Sequence, residues 1–162
     1  FFEELKRRHS RLRRENAPAA LMYVDMDNFK LVNDIHGHQA GDDAILALTQ
    51  VLHDNVRPAD LVARLGGDEF VLWLEGADIS AASARAKTLM KESAVLAKYS
   101  GDAEHPLGIS VGIAVHEADS QETLEQLVQR ADQTMYQVKK LGKGRFGIAA
   151  APGSKDPAKI EN

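Results

Sequence analysis

The 162-residue sequence has no cysteine, only five prolines and few aromatic residues, which make up 6% of the chain. Without cysteine, a disulfide framework, a thiolate-bound metal and a thiol nucleophile are excluded. No run of about 18 or more apolar residues occurs, so no transmembrane helix is predicted. The 20 Lys and Arg against 24 Asp and Glu argue against a general nucleic-acid-binding protein, which carries a basic surface. With no signal-peptide pattern at the start, the sequence predicts one globular, cytoplasmic domain.

The two ends of the chain differ in composition from the middle. Residues 3–15 carry six basic and three acidic side chains, which is typical of a solvated helix or of a connector to an upstream segment. Residues 150–162 contain two prolines and a glycine without periodicity, which predicts a disordered tail or a linker. We therefore expect an N-terminal helix or connector over 1–16, a folded domain over 17–149 and a tail over 150–162.

Between these ends, short apolar runs alternate with segments of helical periodicity. Residues 20–24 predict a buried strand that stops at Asp25. Two β-prone runs, 61–65 and 70–74, flank Gly66-Gly67-Asp68-Glu69 and predict a hairpin. The order of elements predicts an α/β sandwich with helices on a central mixed sheet. The predicted helices cover residues 42–56, residues 79–98 and a segment after Asp119 and Glu122, which have capping-box spacing.

Three aspartates occupy positions that suit a ligand site. Asp25 and Asp27 follow the first predicted strand, and Asp68 lies at the tip of the predicted hairpin. If the hairpin lies beside that strand, Asp25 and Asp68 converge, and paired carboxylates repel unless a cation or proton intervenes. Carboxylate oxygens favour Mg²⁺, and glycines let backbone N–H groups approach a phosphate. Alternatively, an Asp-x-Asp at a strand end forms a turn or helix cap, and Gly-Gly-Asp forms an ordinary turn.

Five ordered blocks between residue 20 and about residue 147 resemble the GGDEF-domain diguanylate cyclases. The blocks are Asp25–Asp34 (DMDNFKLVND), Gly37–Asp42 (GHQAGD), Arg64–Phe70 (RLGGDEF), Ile109–Ala114 (ISVGIA) and Ala131–Tyr136 (ADQTMY). The resemblance implies a ferredoxin-like palm, similar to that of nucleotide cyclases, with the signature motif on a β-hairpin. It also implies condensation of two GTP molecules into cyclic di-GMP with release of pyrophosphate.

The resemblance assigns roles to matching positions of this sequence. Asp25, Asp68 and the Met26 carbonyl would bind Mg²⁺, with Mn²⁺ as an alternative. The other residues would bind the substrate or support catalysis. They are Asn33 and Asp42 on the guanine edge, Phe29 beside the substrate, Gly66 and Gly67 against the phosphates, Lys30, Lys139 and Lys143 on the triphosphate, and Glu69 at the metal or the attacking hydroxyl.

The resemblance also implies partners and regulation. One domain offers half of the reaction, so two must face each other in a homodimer, without contact to nucleic acid or membrane. An upstream sensor in a longer chain is implied as well. Arg57-Pro58-Ala59-Asp60 has the R-x-x-D pattern of the family's inhibitory site at the expected offset from Gly66, so Arg57 and Asp60 would bind the product.

The sequence departs from the family pattern at residue 143. Lys143 stands where the family usually has arginine, so a point charge replaces a bidentate fork.

The alternative to an enzyme is a non-catalytic module that binds GTP or cyclic di-GMP and regulates a partner, such as an attached phosphodiesterase domain. Retention of the predicted metal-binding and guanine-binding side chains favours the enzyme.

Overall fold

The computed structural model describes residues 1–161, which form one six-stranded sheet covered by helices on both faces. The elements are α1 (Phe2–Glu15), β1 (Ala19–Asp27), α2 (Phe29–His36), α3 (His38–Asp54), β2 (Leu61–Gly66), β3 (Glu69–Glu75), α4 (Ile79–Glu92), a short 3-10 helix (Ser93–Tyr99), β4 (Gly108–His116), α5 (Leu124–Lys140), β5 (Phe146–Ile148) and β6 (Lys159–Glu161). Within residues 1–161, no helix is long and apolar enough to cross a membrane.

The strand order, β2-β3-β1-β4-β5-β6, places β1 at the centre of the sheet. It pairs antiparallel with both β3 and β4, whereas β4 and β5 are parallel and β6 runs antiparallel to β5. The first four strands, with the helices between them, have the split βαβ arrangement of ferredoxin-like folds. The predicted α/β fold with a central mixed sheet is therefore confirmed.

Alternate side chains of β1 enter two separate cores, because successive residues of a strand point to opposite faces. Met22, Val24 and Met26 pack with the helices α2, α3 and α4. Leu21 and Tyr23 face α1 and α5 on the other side. Burial of one such side chain contributes about 1.5–3 kcal/mol, so a central strand buried on both faces anchors both helical layers.

Helix α1 is docked on the sheet rather than solvated on all sides. Leu5, His9 and Leu12 form its buried face, while its basic residues lie mostly outside. The His9 ring stacks edge-to-face on that of His116 in β4, with the centroids 4.7 Å apart. Burial lowers the pKa of both imidazoles, so the pair is neutral at pH 7. The expected N-terminal helix is thus present with a solvated face, but Leu5 and Leu12 give it a buried face as well.

The boundaries of several elements differ from the predictions. Strand β1 runs through Asp27 instead of stopping at Asp25, because its last residues pair with the first residues of β4. The segment predicted as one helix from residue 79 to 98 changes to 3-10 geometry at Ser93. The capping box before α5 is formed by Thr123 and Gln126, not by Asp119 and Glu122.

The C-terminal segment is not a disordered tail throughout. Residues Lys159–Glu161 form β6, and Ile160 pairs with Gly147 of β5. Strand β5 alone would leave its backbone donors and acceptors unpaired at the sheet edge, and β6 satisfies them. Residue 162 lies outside the described residues.

Helix α5 approaches β4 closely at Gly112. A Cβ added there would clash with the backbone of Ala131 and Met135, neither of which can move independently of the helix. We predict that Gly112→Ala destabilises the domain by about 1–3 kcal/mol, the usual range for overpacking. Denaturant unfolding measures the change. Gly108→Ala in the same strand is the control, since its Cβ would make only an ordinary contact with Asp27; equal stabilities of the two variants would contradict the prediction.

Candidate active site

The glycine hairpin brings Asp68 next to β1. In the sheet register Glu69 pairs with Asp25, and the Met26 N–H donates to the Asp68 carbonyl over 3.2 Å. The turn needs the glycines: Gly66 and Gly67 have φ of +149° and +51°, a backbone region that other residues rarely adopt. The hairpin thus places Asp68 beside Asp25, as the sequence predicted.

Asp25 is the most perturbed carboxyl of this site. Burial raises its pKa to about 7; the Lys139 ammonium opposes that rise, and the nearby Asp68 carboxylate adds to it. Its Oδ1 atom is buried and has no hydrogen-bond partner. A buried carboxylate oxygen without a partner is costly, so this atom is suited to a cation or a proton.

Lys139 of α5 contacts oxygen atoms that the family resemblance assigns to a metal. Its Nζ donates to the Met26 carbonyl over 2.8 Å and lies 3.4 Å from Asp25 Oδ2. It also lies 3.3 Å from Asp27 Oδ1. The ammonium group therefore neutralises the acidic end of β1 in this structure.

Glu69 has a partner that the sequence did not reveal. The Tyr23 O–H, two residues before Asp25 in β1, donates to Glu69 Oε2 over 3.2 Å. Burial and the Glu69 charge raise the pKa of Tyr23 well above its usual value, so the phenol stays protonated and serves as a donor.

An open cleft of about 510 Å³ joins several predicted residues. It extends from Asp68 across the start of α2 to the loop after α5. Its walls include five predicted site residues, Met26, Phe29, Lys30, Asp68 and Lys143, together with Asn28, Leu31, Asp34, Asp102 and His105. Seven of these ten side chains are polar or charged, two of them lysines, so the cleft offers contacts for a charged ligand.

The residues predicted to contact guanine lie where α2 meets α3. The Asn33 Oδ1 atom is buried without a partner, and it sits so close to Gly41 that any side chain there would clash with it. Asp42 is exposed in the first turns of α3. Neither residue lines the cleft that holds Asp68.

Arg57 and Asp60 form a turn in which the Asp60 carboxylate is hydrogen-bonded to other groups of the protein. The Asp60 side chain is fully buried and accepts the backbone N–H groups of Arg57 and Glu75 at 2.8 and 2.9 Å. The Arg57 guanidinium is half exposed and contacts both the Asp60 carboxylate and the Glu75 carbonyl. Arg57 is accessible to a ligand in this state, whereas Asp60 is not.

The sheet with its glycine hairpin defines a ferredoxin-like domain that carries paired carboxylates. Residues 1–145 match the family described as diguanylate cyclase, GGDEF domain. Diguanylate cyclase DgcS of Shewanella oneidensis is 32% identical over 149 residues, which are 92% of this chain and 48% of that protein. The bifunctional diguanylate cyclase/cyclic di-GMP phosphodiesterase MucR of Pseudomonas aeruginosa is 36% identical over 133 residues, 82% of this chain and 19% of its own length.

A solved structure of a GGDEF domain agrees with this match. The GGDEF domain of DgcB from Caulobacter crescentus, in complex with c-di-GMP, superposes with a TM-score of 0.80 at 26% identity and covers 93% of this chain and 89% of that one. This chain belongs to the GGDEF domain family, which confirms the predicted resemblance. It spans about half or less of the length of these two curated relatives.

The neighbours of Asp25 make its titration a test of the geometry. Replacing Asp68 by Asn removes a like charge, so we expect the pKa of Asp25 to fall below about 7, while Lys139→Met should raise it. Carboxyl ¹³C NMR titration measures both shifts. Lys143→Met is the control, because that amine bonds Asn28 instead. An Asp25 pKa that is unchanged in the Asp68 variant would show that the two carboxyls are apart.

Proposed function

We propose that this domain is a diguanylate cyclase that condenses two GTP molecules into cyclic di-GMP and pyrophosphate. The observation that carries the proposal is the Asp25–Asp68 pair at the hairpin, with a buried Asp25 oxygen that lacks a partner. Asp68 of this pair lines a cleft that also holds Lys30 and Lys143. Family membership and the relatives named diguanylate cyclases support the same activity.

The donor set fits a divalent cation. Two carboxylates and a main-chain carbonyl are hard oxygen ligands, and the unpartnered Asp25 oxygen leaves room for one more bond. We assign Asp25, Asp68 and the Met26 carbonyl to Mg²⁺, or to Mn²⁺ in its place. The ion would supply charge neutralisation for attack of a 3′-hydroxyl on an α-phosphate. Lys139, now on the Met26 carbonyl, would turn toward the triphosphate.

The protein's own contribution is orientation and charge. In the reaction each 3′-oxygen forms a bond to the α-phosphorus of the other GTP, both bonds to pyrophosphate break, and two pyrophosphates and the two hydroxyl protons are released. Positioning and electrostatic stabilisation account for most catalysis in such transfers. Lys30, Lys139 and Lys143 would neutralise the phosphates, while Gly66 and Gly67 let the backbone approach them. Glu69, hydrogen-bonded to Tyr23, would support the metal or orient the hydroxyl.

Asn33 and Asp42 are proposed to select guanine. Guanine presents N–H donors on its Watson–Crick edge, and the buried Asn33 oxygen is an acceptor without a donor in this structure. Phe29 packs between α2 and α3 at the same place and would flank the base. Because each domain holds one GTP, catalysis needs a homodimer. An upstream sensor and a cytoplasmic setting belong to the same proposal.

The alternative function is a non-catalytic module that binds GTP or cyclic di-GMP and regulates a partner domain. Its support is Lys139, whose ammonium group lies on the proposed metal ligands, and Lys143, which stands where arginine is usual. The relative MucR is named as both a cyclase and a phosphodiesterase, so a phosphodiesterase is the partner domain that this alternative includes.

Incubation with GTP and Mg²⁺, followed by chromatography, tests the activity directly. Wild-type protein should form cyclic di-GMP at high concentration, and Asp68→Asn should reduce turnover at least about 100-fold, because an electrostatic contact to the reacting groups contributes that much. Asp156 is an exposed aspartate that does not line the cleft, so Asp156→Asn should behave like the wild type. If GTP binds but no product forms, the regulatory module is the better description.

The R-x-x-D turn is proposed as a product-binding site that Arg57 dominates. Its exposed guanidinium suits a phosphate or a guanine edge, whereas Asp60 would first have to leave the Arg57 and Glu75 amides. Arg57→Ala should weaken cyclic di-GMP binding at least tenfold in calorimetry and spare turnover. Arg14→Ala, which removes an exposed arginine of α1, is the control. Unchanged product affinity in Arg57→Ala would remove this site from the proposal.

A further inference from the structure

Asp27, the second acid of the Asp-x-Asp pair, has its oxygens engaged within the protein. Its side chain is 3% exposed. Oδ1 accepts the Ser110 hydroxyl of β4 over 2.7 Å and lies 3.3 Å from Lys139 Nζ. Oδ2 accepts the Gly144 N–H over 2.9 Å. A carboxylate with these partners cannot also turn to a metal without leaving buried donors unpaired.

The loop that Asp27 holds has an unusual backbone. Gly142, Lys143 and Gly144 have φ of +117°, +65° and +61° in succession. The left-handed conformation of Lys143 is unfavourable by about 1 kcal/mol or more, and such conformations persist where surrounding contacts impose them. The Gly144 N–H is fixed by Asp27 and also by the Ser110 hydroxyl, at 3.2 Å. These two side chains hold the end of the turn, and backbone bonds from the Gly142 and Lys143 N–H groups to α5 hold its start.

The same loop determines where a lysine enters the cleft. Lys143 Nζ donates to the side-chain oxygen of Asn28 over 3.0 Å, and Asn28 directly follows Asp27 in the chain. Lys139, at the end of α5, faces Asp27 as well. Asp27 therefore contacts one lysine directly and fixes the backbone that carries the other.

We propose that Asp27 is a positioning residue for the phosphate end of the nucleotide site, acting with Ser110 through the loop from Gly142 to Gly144. This rests on the proposed function, in which Lys139 and Lys143 meet the triphosphate. Asp27 is then neither a metal ligand nor a catalytic residue. Its carboxylate fixes the loop that carries Lys143 into the cleft, and it contacts Lys139 at the same end of β1.

Selective loss of triphosphate binding tests the inference. Asp27→Asn retains the shape of the side chain but replaces one acceptor oxygen by an amide donor, so either the Gly144 N–H loses its carboxylate acceptor or Lys139 loses one of its three oxygen contacts. We expect the affinity of the Asp27→Asn protein for a GTP analogue with an α,β-methylene bridge to fall about tenfold or more. Loss of one hydrogen bond to a charged group has an effect of that size. Guanosine binding, followed by NMR titration, should change less than twofold, since no phosphate is present.

Ser110→Ala is the milder second variant, and it keeps the measurement informative if Asp27→Asn does not fold. It should shift the Gly144 amide resonance and weaken the triphosphate analogue while sparing guanosine. Ser154→Ala, an exposed serine of the C-terminal segment, is its control.

The outcomes separate the two proposals. If wild-type protein binds the triphosphate analogue and both variants bind it equally well, the positioning role is wrong and the proposed function stands. The same holds if guanosine and the analogue weaken in parallel, which indicates general destabilisation. If wild-type protein binds neither ligand, the proposed function fails, and the positioning role fails with it.

Discussion

The register between β1 and β3 is the constraint on which the site depends. Asp25 pairs with Glu69, and the Asp68 carbonyl accepts the Met26 N–H, so the hairpin carboxylates meet the central strand at one end. A shift of one residue would turn Asp25 toward the opposite core and separate it from its partners. Because β1 is buried on both faces, such a shift would also exchange the side chains that fill the two cores, so Met22 and Val24 would enter the core shaped for Leu21 and Tyr23; packing of both cores therefore maintains the geometry of the acids.

Helix α5 completes the site from the other side of the sheet. Its close approach at Gly112 brings its last turn to the end of β1, where Lys139 contacts Met26, Asp25 and Asp27. The ammonium group there opposes the rise in the Asp25 pKa that burial causes. The loop after α5 then returns to the same strand end through Gly144. Close packing of α5 on Gly112 thus helps to position the Lys139 charge, which lies 27 residues further along the chain.

A second polar junction links the N-terminal helix to the R-x-x-D turn. The Glu75 carboxylate at the end of β3 receives Arg8 and Arg11 of α1 and the Trp73 indole N–H. Its own backbone is bonded to Asp60 and Arg57, and Arg8 reaches the Ala59 carbonyl. The charged residues of α1 that a sequence reading leaves in solvent are therefore partly engaged with the turn proposed to bind product.

Strong local patterns were enough to predict the strands around Asp25 and Asp68, the glycine hairpin and the family. They combine apolar runs with residues whose backbone preferences leave few alternatives, and their prediction needed no long-range contact. The roles of Asp27, Tyr23 and the α1 residues required the tertiary structure. The sequence does not distinguish an aspartate of Asp-x-Asp that binds a metal from one that is bonded to a buried serine. Tyr23 likewise has the pattern of one more apolar residue in a strand. Likewise, β6 could not be predicted from its own sequence, because it forms by pairing with the otherwise unpaired edge strand β5. Sequence fixes which groups are available, whereas packing decides which of their hydrogen-bonding atoms remain free for a ligand.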